Sequence, residues 1–268
     1  MPPSRLNPTP FYTSRLQKGG ALLPEMRALV RLWHWDANPE EMINLVTQTG
    51  ILGKASQQRV RDVVVRTFLP RYVHGDPPNA WWYLRPFEDV DTPFQLIRPL
   101  YYLYAARAEA LIADFVQDLL YTRYSIGSFD VHLEDALHFI SQAEVDGHIP
   151  QPWSESVRLK VARGLLAALR DFGILEGRRK KRIATPFLPA VPFAHIAFLL
   201  GQETRGAAVL THPQWQLFLL DRDGVERLFL EADAAGLLRY SAAGSIVRID
   251  FPEENLHAYS RFLAERAA

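Results

Sequence analysis

Five consecutive cations, Arg178, Arg179, Lys180, Lys181 and Arg182, stand in the stretch GILEGRRKKRIATPFLP, residues 173–189. Fixed charges at that density repel one another. The chemistry that rewards them is contact with phosphate oxygens, made by charge-assisted hydrogen bonds from guanidinium and ammonium groups. A solvated turn that resists edge-to-edge aggregation is the plainer use of the same charge.

Other residues with chemical potential are sparser. His132, Asp135 and His138 recur at three-residue spacing, and Asp135-x-x-His138 is half of a carboxylate and imidazole metal pattern whose second half is missing from the chain. Asp171 and Glu176 flank the basic run but are too few to hold Mg²⁺ as a nuclease does. Trp81, Trp82 and Tyr83 carry the rings of a base-stacking platform, yet Glu88, Asp89 and Asp91 follow and repel phosphate. The rings are read as pins to the core. No phosphate-cradling GxxxxGK[ST], no GxGxxG turn, no GxSxG elbow and no cysteine nucleophile is present. The expectation is a protein that is not an enzyme and uses no metal or cofactor.

The chain has 268 residues, 48% of them hydrophobic, enough for a buried core and two or three units. Without cysteine it holds together by packing alone, as suits a reducing interior. The start, MPPSRLNPTPFYTSR, lacks the apolar run of a secretory signal and any lipidation pattern. The most hydrophobic region, 95–120, is cut by Arg98, Arg107, Glu109, Asp114 and Asp118, too often for a bilayer span. A cytoplasmic protein with no membrane segment is expected. The net charge of zero conceals segregation: residues 1–72 carry +5, 73–152 carry −8, 153–182 carry +6 and 183–268 carry −3. Basic surfaces are therefore local, and they focus potential toward phosphate locally.

Elements that position these charges follow from periodicity and caps. Pro24 opens a helix running to about His34. Asn38-Pro39, with Glu41 at capping-box spacing, starts a second that ends at Thr49-Gly50. Ser56 caps a third, whose apolar stripe is Val60, Val63, Val64 and Thr67 and whose other faces carry Gln58, Arg61, Asp62 and Arg66. A short helix, a Gly turn and a longer helix make a helix-turn-helix outline. The proline-rich, acidic stretch 73–93 reads as a linker loop. Two aromatic helices are expected over 95–124 and a third over about 130–145.

Ser154 then opens a strong helix with the stripe Val157, Val161, Leu165, Leu169 and Phe172, which leaves Arg158, Lys160, Arg163 and Arg170 on other faces. Gly173 stops it. Ile174-Leu175 and 183–187 read as two short strands joined by EGRRKKR, which gives a basic winged helix. At an offset of 63 residues, GLLRYSAAGSIVRIDFP (236–252) aligns to 173–189 without gaps, matching Gly173, Leu175, Ile183 and Pro189. It follows a helix begun at Asp223-x-x-Glu226, and its tip is neutral where the first is GRRKKR. A neutral tip suffices for a hairpin, so the first tip's charge points to phosphate.

FYTSRLQKGGALLPEMRALVRLW, followed by NPEEMINLVTQTGILGKASQQRVRDVVVRTFLPRY, resembles the N-terminal signature of the BrxA proteins of BREX bacteriophage-defence systems. The similarity runs on through the aromatic middle to FGILEGRRKKRIATPFLP and covers roughly residues 10–190. The resemblance implies a small, mainly helical component encoded with a methyltransferase, a large ATPase and a phosphatase-like protein. It also implies DNA binding through helix-turn-helix or winged elements, beside a likeness to RNA-binding antitermination factors.

The expected fold is mainly α, a helical bundle with helix-turn-helix or winged-helix elements and short β-hairpin wings. Its divisions are an arm and helices over 1–72, a linker at 73–93, a helical core ending in a basic winged unit over 94–190, and a second winged unit over 191–268. The expected partner is duplex DNA, contacted by Arg15 and Lys18 of the arm, by Lys54, Gln58, Arg61 and Arg66 of the N-terminal helices, by Arg158, Lys160 and Arg163, and by Arg178 to Arg182. The alternative is a protein-interaction scaffold or RNA-binding subunit, in which the acidic middle and neutral second wing dock partner subunits.

Overall fold

The computed structural model describes residues 11–244 and 246–267. Three features of the sequence reading thus lie outside the described residues: the proline-rich start of the arm (1–10), Ser245 of the second hairpin tip, and Ala268. The chain is mainly helical. In order, the helices are α1 (Leu23–Leu32), α2 (Pro39–Thr49), α3 (Gln57–Val63), α4 (Ala80–Asp89), α5 (Phe94–Ala108), α6 (Ala110–Asp114) and α7 (Tyr121–Ser125). Strand β1 (Asp130–Val131) precedes α8 (Leu133–Val145) and α9 (Glu155–Phe172), then come β2 (Leu175–Glu176) and β3 (Lys181–Ile183). Helices α10 (Ala190–Glu203) and α11 (Arg222–Ala234), strands β4 (Arg239–Ala243) and β5 (Ile246–Asp250), and α12 (Leu256–Ala267) complete the order. No helix among the described residues is long and apolar enough to cross a membrane.

Contacts group the chain into two compact units, each built from two stretches: Met1–Leu22 with Ala106–Ala184, and Leu23–Ala105 with Thr185–Ala268.

In the first unit, α9 is the central element. Ser154 caps it through the Val157 N–H, and Gly173 ends it in the left-handed region at φ 85°. Val161, Leu165, Leu169 and Phe172 are buried, as their spacing predicts. The arm forms a single 3₁₀ turn, Ser14–Lys18, that packs along α9. Its anchor is Tyr12, whose hydroxyl donates to Asp114 at 2.7 Å, whose ring stacks on His148 and whose N–H reaches the His148 carbonyl. The small sheet is antiparallel in the order β1-β3-β2, with Asp130 opposite Arg182 and Glu176 opposite Arg182 on the other side.

That sheet changes the expected hairpin. The second strand starts at Lys181 rather than Ile183, because β1 offers a partner that local sequence does not reveal: the Ile183 N–H donates to the Phe129 carbonyl. Lys181 and Arg182 are strand residues, and the tip is Gly177–Lys180. Gly177 closes it at φ 84°, where a side chain would collide with the Lys180 carbonyl.

The second unit keeps the expected start of the N-terminal helices. Asn38 accepts from the Glu40 N–H with Pro39 in the first turn, Ser56 accepts from the Arg59 N–H, and Gly50 ends α2 at φ 65°. Val60, Val63, Val64 and Thr67 are buried. Beyond Val63 the helix continues in wider turns over Val64–Val73, where the His74 N–H reaches the Leu69 carbonyl five residues back. Pro70 lies in this stretch and has no N–H to give, which the wider spacing accommodates.

The stretch read as a linker is corrected here: residues 80–89 form α4. Trp81, Leu84, Phe87 and Glu88 are buried on one face, and that burial outweighs Pro86. Pro86 cannot donate to the Trp82 carbonyl one turn back, and His257 supplies the missing donor from Nδ1 at 3.1 Å while its ring stacks on Trp82 at 3.9 Å. Glu88 is fully withdrawn from solvent yet ionically satisfied, accepting from Arg27 at 2.7 and 3.0 Å, Arg31 at 2.8 Å and the Tyr101 hydroxyl at 2.9 Å. Helix α11 is capped by Asp221, which accepts from the Gly224 N–H, rather than by Asp223. Glu226 instead accepts from the Tyr240 hydroxyl. Gly236 follows α11 and leads into the β4-β5 hairpin, so helix, glycine and hairpin recur in both copies of the aligned segment.

Candidate nucleic-acid interface

The expected cations fall into two sets with different surroundings. In the second unit all are engaged. Lys54 pairs with Glu25, Arg61 makes two bonds to Glu40 at 2.8 and 2.5 Å, and Arg66 lies 3.2 Å from Asp62. Gln58 is exposed and reaches Asp62 at 3.5 Å. Each positive charge there has a carboxylate beside it, so the net field toward an external phosphate is small.

The first unit differs. Arg163 projects from the middle of α9, and Arg179 and Lys181 come from the tip and second strand of the hairpin. Together with Val131, Leu133 and Leu166 these three cations line one open recess of about 240 Å³. Arg178, Arg179, Lys180, Lys160 and Arg163 are exposed, and none has a carboxylate partner among the described residues. Lys181 is half-buried and donates to the Arg178 carbonyl at 3.2 Å. Burial, then the neighbouring Arg170, pulls its ammonium below the ordinary lysine range, against the opposing pull of Asp171.

The remaining members are partly committed. Arg182 faces Asp130 at 3.4 Å across the strand pair, and Arg158 holds Glu144 at 3.2 Å, tying α9 to α8. Arg15 and Lys18 are half-buried in the arm turn that packs on α9. The site thus collects the arm, α9 and the hairpin in one unit, and leaves Lys54, Gln58, Arg61 and Arg66 in the other.

Two carboxylates near this surface, Asp135 and Asp171, are already used. Asp135 takes two bonds from Arg123, at 2.9 and 2.6 Å, and one from the His132 N–H at 2.7 Å. Burial alone would push its carboxyl up, but these donors outweigh burial and hold it below the ordinary carboxylate range. Asp171 is bound to Arg170 at 2.6 Å. Among the described residues no group of three histidines or carboxylates is placed to hold a metal ion. Sequence reasoning missed β1, whose Val131 forms part of the recess floor; a two-residue strand carries no periodicity to find it by.

A family model described as BrxA matches residues 10–199. No curated protein and no solved structure matches the chain.

Proposed function

The chain belongs to the BrxA family, which makes it a component of a BREX defence system, and on that premise we propose that it binds duplex DNA through the first unit without catalysing a reaction on it. The observation that carries this reading is the convergence of Arg163, Arg179 and Lys181 on one recess; close to them along the chain, Lys160, Arg178 and Lys180 are exposed and have no carboxylate partner among the described residues. The order α7-β1-α8-α9-β2-β3, with β1 hydrogen-bonded to β3, supports a winged helix-turn-helix reading, with α9 as its recognition helix and Gly177–Lys180 as its wing tip. Contacts of lysine and arginine to phosphate position such a unit without reading sequence.

The N-terminal helices form a secondary surface. Phosphate there must displace Glu25, Glu40 or Asp62 before it meets Lys54, Arg61 or Arg66. The methyltransferase, ATPase and phosphatase-like proteins of the same system are the protein partners of this reading, and the second unit, with its neutral β4-β5 tip, is the surface offered to them.

Mobility shift of a random-sequence duplex by the purified protein tests the proposal. Retardation at about 50 mM salt that fades steeply by about 200 mM is the expected result. No retardation at the lower salt removes the reading, and much tighter binding of an RNA of equal length replaces DNA by RNA as the ligand.

A further inference from the structure

A second open recess, of about 430 Å³, lies wholly within the second unit, lined by Trp35, Pro77, Trp82, Tyr83, Asn255 and His257 among others. Its chemistry is unlike that of the cationic surface. Trp35 is 59% exposed, an unusual position for the largest side chain, and its ring meets Trp81 and Trp82 edge-on at 5.2 and 5.5 Å. Trp82 is backed by the stacked His257 ring, so one of its faces is already covered.

The lining is rich in hydrogen-bond donors that the protein does not use. The indole N–H groups of Trp35 and Trp82 and the hydroxyl of Tyr83 find no acceptor among the described residues. Asn255 spends its carbonyl oxygen on the Ala258 N–H, which leaves its amide as a donor. A complementary occupant presents flat apolar faces and carbonyl acceptors while bringing few N–H donors of its own. Proline fits that description, because it has no backbone N–H and its polyproline II form is already ordered.

We propose that this recess binds a proline-rich segment of a partner protein in the polyproline II conformation, with prolines seated on the open sides of the Trp35, Trp82 and Tyr83 rings and their carbonyls accepting from those donors. Aromatic grooves of this composition recognise such segments in general. An adjoining recess shares Trp82 and His257 and adds Arg85, Asp89, Arg261 and Glu265, which offers both signs of charge to a residue flanking the prolines. This site is independent of the DNA-binding surface.

Titration of the full-length protein with a decaproline peptide, followed by tryptophan fluorescence, tests the assignment. Saturable binding with a dissociation constant below about 1 mM is expected, with no response to a Gly-Ser decamer. Trp35→Ala weakens it by about tenfold or more, and Tyr83→Phe, which removes only the hydroxyl, by about two- to tenfold. Equal responses to the two peptides, no saturable response, or unchanged affinity in Tyr83→Phe overturns the proposal. Saturation by free adenosine but not by decaproline also overturns it, and makes the recess a heterocycle site.

Discussion

The backbone carbonyl of Leu16 rests directly on Gly164 of α9, so closely that a Cβ at position 164 would collide with it. This contact fixes the arm along the middle of the helix that also carries Arg163, and the arm brings Arg15 and Lys18 to the same unit. Gly164 costs helix stability in an otherwise strong helical sequence, about 1 kcal/mol relative to Ala. Close approach of the arm backbone is the reason it is tolerated.

Gly164→Ala is therefore expected to dislodge the arm rather than strengthen α9. The substitution leaves helix content nearly unchanged while exposing Arg15 and Lys18 to trypsin, and cleavage there is read by mass spectrometry. A variant as resistant as the native protein, and more stable by the helix propensity gain, contradicts the contact.

The two cation sets are expected to differ in weight. Arg163→Gln with Arg179→Gln lowers duplex affinity by about tenfold or more, since each lost phosphate contact also takes about 0.9 from the salt slope. Arg61→Gln with Arg66→Gln changes it by less than about threefold, because Glu40 and Asp62 already neutralise those groups. Fluorescence anisotropy of a labelled duplex measures both, and a larger loss from the second pair reverses the assignment of the primary surface.

Stability is expected to fall on acidification through one buried histidine. His195 is fully enclosed, and burial pushes its imidazole down to about 3. Ser260 gives its proton to the Leu256 carbonyl and so accepts from His195 Nδ1, at 3.2 Å, while Tyr104 donates to Nε2 at 2.6 Å. The Tyr104 bond requires an unprotonated Nε2, so protonation of the ring breaks it. Above the ordinary value of 6.5 the folded and unfolded states are both neutral and His195 costs nothing; between 6.5 and about 3 only the unfolded state takes the proton. Well below 6.5 the loss approaches about 1.4 kcal/mol per pH unit. Urea midpoints from pH 7 to 5 check this, and His195→Gln flattens that part of the profile.

Local signals in the sequence located the helices that these predictions use. Asn38, Ser56 and Ser154 cap where their chemistry requires, and the buried stripe of α9 matches its spacing. What escaped depends on partners far along the chain. Helix α4 hides behind Pro77, Pro78 and Pro86, and becomes intelligible once His257 is seen to satisfy the carbonyl that Pro86 leaves open. The true edge of β3 depends on Asp130 and Val131, fifty residues earlier. The basic run was conspicuous as composition, but its convergence with Arg163 is a property of the folded hairpin. The carboxylates that occupy Lys54 and Arg61 belong to other helices and have no signature beside those residues.

The most direct test of the account replaces Arg178, Arg179, Lys180, Lys181 and Arg182 together by Ser and measures duplex affinity against salt. The β4-β5 hairpin pairs with no charged residue between Tyr240 and Val247, so such a tip needs no charge to form; substitutions at the exposed tip residues Arg178, Arg179 and Lys180 change stability by only about 0.5 kcal/mol, and circular dichroism checks that the strand changes at Lys181 and Arg182 leave the variant folded. The native protein is expected to give a slope of log K against log salt of roughly −4 to −6, and the variant a loss of at least about tenfold in affinity with a slope smaller by about 0.9 for each contact removed. A folded variant with unchanged affinity and slope would contradict the account, and would make the five cations a solvated turn on a protein that works by binding other proteins.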